Sequence, residues 1–144
     1  MASWRDGTSQ QAQDDLDGLL GPALGFAQEQ LTAHGGFYPY AVVVDDDGQQ
    51  RMVAADTDHD QPASGELITT LIATLSEQRD RLRAAAIVAD VRVPERDAIR
   101  VTLEHSERVA LTVLLPYKTR RFGRSVDYGD PQAGTAAAYI WPTD

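Results

Sequence analysis

This chain of 144 residues has no cysteine. That absence excludes disulfides, thiol nucleophiles and thiolate metal sites together. It fits a reducing compartment. Lysine is nearly missing as well: of 13 basic residues, all but Lys118 are arginine. No stretch approaches the roughly 18 apolar residues of a membrane-spanning helix, so no membrane association is expected. The first thirty residues hold Asp6, Asp14, Asp15 and Asp17 and no continuous apolar core, which excludes an ordinary signal peptide. The expected location is the cytoplasm.

Motifs of catalysis are missing too. There is no Gly-x-Ser-x-Gly elbow, no phosphate-binding loop and no dinucleotide fingerprint. Gly18, Gly21 and Gly25 follow no strand pattern, and close packing of a helix explains them better. No catalytic residue and no cofactor is expected on these grounds. Acidic residues outnumber basic ones 22 to 13, for a formal charge of −9. Such a chain is repelled by phosphates, which argues against nucleic acid as a partner.

What is present is a strong period-two pattern in the second half. Ile87, Ala89, Val91 and Val93 share one face of a first strand. Ile99, Val101 and Leu103 share one face of a second, and Val109, Leu111, Val113 and Leu115 of a third. Turns at Pro94-Glu95-Arg96 and Ser106-Glu107-Arg108 separate them. Upstream, Phe37 to Val44 and Gln50 to Ala55 read as a hairpin around Asp45-Asp46-Asp47-Gly48. Two helical stripes complete the pattern. The first runs from Leu16 to Leu31, interrupted by Gly21-Pro22 and stopped by Gly35-Gly36. The second runs from Leu67 to Leu82, with Ser64 as its cap and Arg79, Arg81 and Arg83 at its far end.

These elements predict an α+β fold of order α-β-β-α-β-β-β plus a short β tail. An antiparallel sheet of five or more strands carries both helices on one face. Residues 1–13 are expected as a poorly ordered polar tail and 14–144 as a single α+β domain. Ser125 to Tyr128 and Ala136 to Trp141 are the candidate edge strands of the β tail. The element order is similar to that of the roadblock, longin and profilin-like domains. In addition, Phe37-Tyr38-Pro39-Tyr40 leading into the aspartate turn, Asp97-Ala98-Ile99-Arg100 and Leu115-Pro116-Tyr117-Lys118 resemble an uncharacterised family of small bacterial α+β proteins. That resemblance implies a free-standing domain and carries no activity.

Four sets of residues are candidates for function. Lys118, Arg120, Arg121 and Arg124 place four of the 13 basic residues in one loop, flanked by Tyr117 and Phe122. Arginine forks bind carboxylates and phosphates, and the two rings can anchor a partner. Asp56, Asp58 and Asp60 alternate as at the start of an EF-hand. However, Gln61 stands where glycine is needed and Leu67 where the bidentate glutamate belongs, so the metal reading is weak. His34, His59 and His105 have no metal-ligand spacing. A His105–Glu104 dyad is disfavoured because neighbouring strand residues face opposite ways. Asp90 is expected on the exposed sheet face, paired with Arg92 or Arg100, and becomes a general base only if that face forms a cleft. The expected function is a non-enzymatic protein-interaction or regulatory module, with self-association through an edge strand or the free sheet face. The alternative is a small anionic-ligand-binding protein, or an enzyme, using loop 118–124.

Overall fold

A computed structural model describes residues 5–55, 63–119 and 125–142. Helix α1 spans Gln10–His34. It begins inside the stretch expected as a tail, because the Ser9 side chain accepts from the Ala12 amide at 3.1 Å and caps it. Leu16, Leu19, Ala23, Ala27 and Leu31 form its buried stripe. Pro22 lies within the helix without ending it. A proline at this position cannot donate to the carbonyl of Gly18. The Gln50 side-chain amide donates to that carbonyl instead, at 3.0 Å. Gly35 closes the helix at φ 77°, its amide bonded to Leu31, a conformation that costs glycine little.

Strands β1 (Tyr40–Asp45) and β2 (Gln50–Ala54) form the expected hairpin. Helix α2 spans Ser64–Glu77, with Leu67, Leu71 and Leu75 buried. Ser64 is its first helical residue, not its cap; Ala63 holds the cap position and makes no side-chain bond. A single 3-10 turn, Arg79–Arg81, leads into β3 (Leu82–Val93), β4 (Arg96–His105) and β5 (Val109–Thr119). Two short strands, β6 (Val126–Tyr128) and β7 (Gln132–Thr135), pair with successive parts of β5. The result is a curled, seven-stranded antiparallel sheet of order β2-β1-β3-β4-β5, with β6 and β7 along the far edge. The fold is α+β in the expected element order.

The helices do not share a face. Helix α1 packs on Tyr40, Val42, Val44, Ala84, Ala86, Val88, Ile99, Val101 and Leu103. Helix α2 packs on Ala41, Val43, Ala85 and Ile87, the alternate residues of the same strands. The reason lies in β1 and β3, whose inner segments are apolar at every position and so must be covered on both sides. Only β4 and β5 keep the one-sided alternation. Each fully buried leucine of α1 contributes about 1.5–3 kcal/mol.

One irregularity re-aims a side chain. Val44 pairs with Ala84, but Asp45 pairs with Leu82, so Arg83 is an extra residue opposite their junction. This bulge lets Leu82 join the α2 face while Ala84 faces α1.

Candidate functional site

Among the described residues, three buried polar clusters are each closed on themselves. At one end of the α1 face, Asp15 accepts from Arg83 and from His105 Nε2, the latter at 2.8 Å. His105 Nδ1 accepts from the Glu107 amide at 3.1 Å. Both ring nitrogens are therefore engaged in a side chain that is 2% exposed. An imidazole so held has no nitrogen left for a substrate. Burial pushes the Asp15 carboxyl up, but its bonds to Arg83 and His105 outweigh that and hold it below the usual value. The cluster ties α1 to the sheet.

At the other end of the same face, Asp90 accepts from the Tyr117 hydroxyl. Asp90 thus faces α1, contrary to its expected place on the exposed face. Its expected partners are elsewhere: Arg92 pairs with Asp97 at 3.2 Å, and Arg100 points to the opposite face. Burial raises the Asp90 carboxyl first of all; the Tyr117 and Phe37 hydrogen bonds oppose this and the Asp97 charge adds to it. The Gly36 backbone lies against the carboxylate, since a Cβ there would come within 3.2 Å of it.

The third cluster is on the α2 face. Glu104 is 2% exposed and accepts from the amides of Tyr139, Ile140 and Trp141, at 3.1, 3.0 and 3.3 Å to Oε1. Ionised acceptors make the strongest such bonds. The segment expected as a second tail strand is therefore a strap. Its amides go to one carboxylate rather than to a ladder, and Ile140 plugs the core beneath α2. Glu104 and His105 do face opposite ways, as their adjacency in a strand requires.

Beside this cluster lies a groove of about 410 Å³ between α2, the sheet and this strap. Its floor is the polar parity of β4 and β5: Arg100, Thr102 and Thr112. Thr102 lies directly opposite Thr112 in the register. Ile68 and Ile72 of α2 form one wall; Ala136, Ala137 and Tyr139 form the other. Arg100 is half-buried, and among the described residues its guanidinium has no hydrogen bond or ion pair. The hydroxyls of Thr102 and Thr112 have none either.

Of the residues singled out in the basic loop, Tyr117 is buried on the α1 face, where its hydroxyl is tied to Asp90 and its ring offers no free anchor. Lys118 is exposed at the end of β5. Arg120, Arg121, Phe122 and Arg124 lie outside the described residues, as do Asp56, Asp58, His59 and Asp60. His34 is exposed at the last turn of α1. Among the described residues no group of three or more acidic or histidine side chains is placed to hold a metal ion, and no helix is long and apolar enough to cross a membrane. Sequence reasoning placed Arg100 only as a partner for Asp90. The signal that it floors a groove was the polar parity Arg100, Thr102, Glu104 beside an apolar second helix. No protein-family model, no curated protein and no solved structure matches the chain.

Proposed function

We propose that the protein is a non-enzymatic binding module and that the groove on the α2 face takes an anionic group, with Arg100 as its anchor. One observation carries this reading: Arg100 is a half-buried cation without a described partner, on the floor of a cavity of ligand size. Leaving a guanidinium partly desolvated and unpaired is unfavourable, and an incoming carboxylate or phosphate would relieve it. Among the described residues, most groups that acid–base chemistry would use point the other way, and Glu104 in the groove is taken up by the strap amides. On the α1 face, Asp15 is bonded to His105 and Asp90 to Tyr117.

A thermal-shift screen against carboxylates, phosphates and nucleotides tests the reading. A ligand at a hundredfold excess over its dissociation constant adds about 2.7 kcal/mol of stability. The expected result is a hit that disappears in Arg100→Gln and survives in Arg96→Gln. A hit indifferent to Arg100, or no hit among these anions, would overturn it.

A second reading is self-association through β2. This strand is at the sheet edge, its outer backbone pairs with no other described strand, and Met52 is 50% exposed. Light scattering over a concentration series decides it; a monomer at high concentration ends the idea.

A further inference from the structure

We infer that the ligand of the groove is an amphipathic monocarboxylate, with its carboxylate on Arg100 and a compact branched or aromatic body between α2 and the strap. This inference rests on the groove reading above and adds the ligand's charge, shape and orientation.

The number of charges follows from the floor. Arg100 is the one cationic side chain that lines the groove among the described residues. A single guanidinium offers one planar fork, which matches one carboxylate. A dianionic phosphate calls for a second cation or a helix N-terminus, and the described lining supplies neither. Glu104, four residues farther along β4, lines the same groove. At about 3.3 Å per strand residue the two side chains start roughly 13 Å apart. The Glu104 carboxylate already holds three strap amides, and its charge repels a second anionic end. The floor is thus positive at one end and negative at the other, and this fixes which way a monoanion lies.

The walls give the rest of the ligand. Ile68, Ile72, Ile87 and Tyr139 present apolar surface, and Tyr139 is 56% exposed at the mouth. Covering that surface is the favourable part of binding, at about 25 cal/mol per Å². Thr102 and Thr112 stand beside Arg100 with hydroxyls unbonded among the described residues, so they can donate to the lone pairs that the fork leaves unfilled on the carboxylate oxygens. The volume, about 410 Å³, is near the lower end of the roughly 300–1,000 Å³ of small-molecule sites.

The test is an NMR titration of the full chain with four probes: 4-methylpentanoate, 4-methylpentan-1-ol, acetate and inorganic phosphate. Shifts are followed at the Ile68 and Ile72 methyls and at the Arg100 and Thr102 amides. Saturable binding of 4-methylpentanoate is expected, with acetate and the alcohol at least tenfold weaker. Arg100→Gln should weaken it at least tenfold. Thr112→Val, which keeps the shape and removes one hydroxyl, should weaken it about threefold. Phosphate or acetate binding as tightly, with the same dependence on Arg100, would overturn the amphipathic monocarboxylate and leave the groove reading standing. Absence of any Arg100-dependent shift with all four probes would overturn both.

Discussion

On the α1 face, Ile99, Val101 and Leu103 of β4 are sealed beneath a 25-residue helix. One residue along, Arg100, Thr102 and Glu104 of the same strand face α2, a helix of 14 residues that covers only the β1 and β3 side of the sheet. A single strand therefore serves two purposes by parity. The odd-numbered residues build a dry core, and the even-numbered ones floor a groove. Helix length decides which face closes: at 1.5 Å per residue, α1 is about 16 Å longer than α2. The polar groups on the α1 face satisfy one another. On the α2 face, Glu104 is satisfied by the strap, while Arg100 and the two threonines have no partner among the described residues. The closed face is built for stability, and the open one is where we propose that a ligand binds.

The contrast breaks most visibly under core truncation. Leu19 is completely buried against the α1 face. Leu19→Ala should cost about 2–5 kcal/mol, through lost burial and the cavity left behind. Ile72 is a half-buried groove wall, and Ile72→Ala should cost less than about 1.5 kcal/mol, because solvent already reaches the site. Urea unfolding of both variants reads the difference directly. Equal losses would mean that the α2 face is as tightly packed as the other.

The strap sharpens the comparison. Glu104→Ala removes the acceptor for three amides, and hydrogen bonds to a charged group contribute roughly 1.5–3 kcal/mol each without adding up. A loss of about 3 kcal/mol is expected. Hydrogen exchange should show protection gone at Tyr139, Ile140 and Trp141 and kept throughout β4. Protection that survives at those three amides would show that Ile140 alone anchors the strap.

The sequence disclosed this fold unevenly, for reasons particular residues make plain. The three-strand meander was legible because β4 and β5 alternate cleanly and their turns carry proline or charged residues. The placement of α2 was not, although Ala41, Val43, Ala85 and Ile87 were visible as the second apolar parity of β1 and β3. Alanine-rich runs read as apolar on both sides and leave the covering helix unassigned. The continuity of α1 through Pro22 depends on Gln50, 32 residues from Gly18 in the chain, which no local pattern announces. The strap was hidden for the same reason: its partner, Glu104, lies 35 residues before Tyr139. Arg100 was legible as a residue on the polar side of a strand. Its solitude was not, because that depends on where Asp90 points.

The smallest effects distinguish the two ends of the α1 face by pH. Asp15 has a lowered pKa in the fold. Its stabilisation is present above the unfolded value, near 3.8, and is lost as pH falls through the folded one. Asp15→Asn should therefore cost about 2 kcal/mol at pH 7, discounted for the partial exposure of Arg83, and progressively less as pH falls below the unfolded value. Asp90 has a raised pKa, so the sign reverses. Its contribution is full below the unfolded value, near 3.8, and is lost as pH rises through the folded one. Asp90→Asn keeps an oxygen that can accept from Tyr117 and carries no charge to desolvate. It should stabilise the protein at pH 7 by less than about 1 kcal/mol, the net size of one ordinary hydrogen-bond change, and leave stability at pH 3 unchanged. Denaturant midpoints of the two variants should move in opposite directions at pH 7, and the difference should shrink as pH falls. A destabilised Asp90→Asn at pH 7 would mean that the charge on Asp90 is favourable where it stands, and that a cation joins the Tyr117 and Phe37 hydrogen bonds at this end of the face.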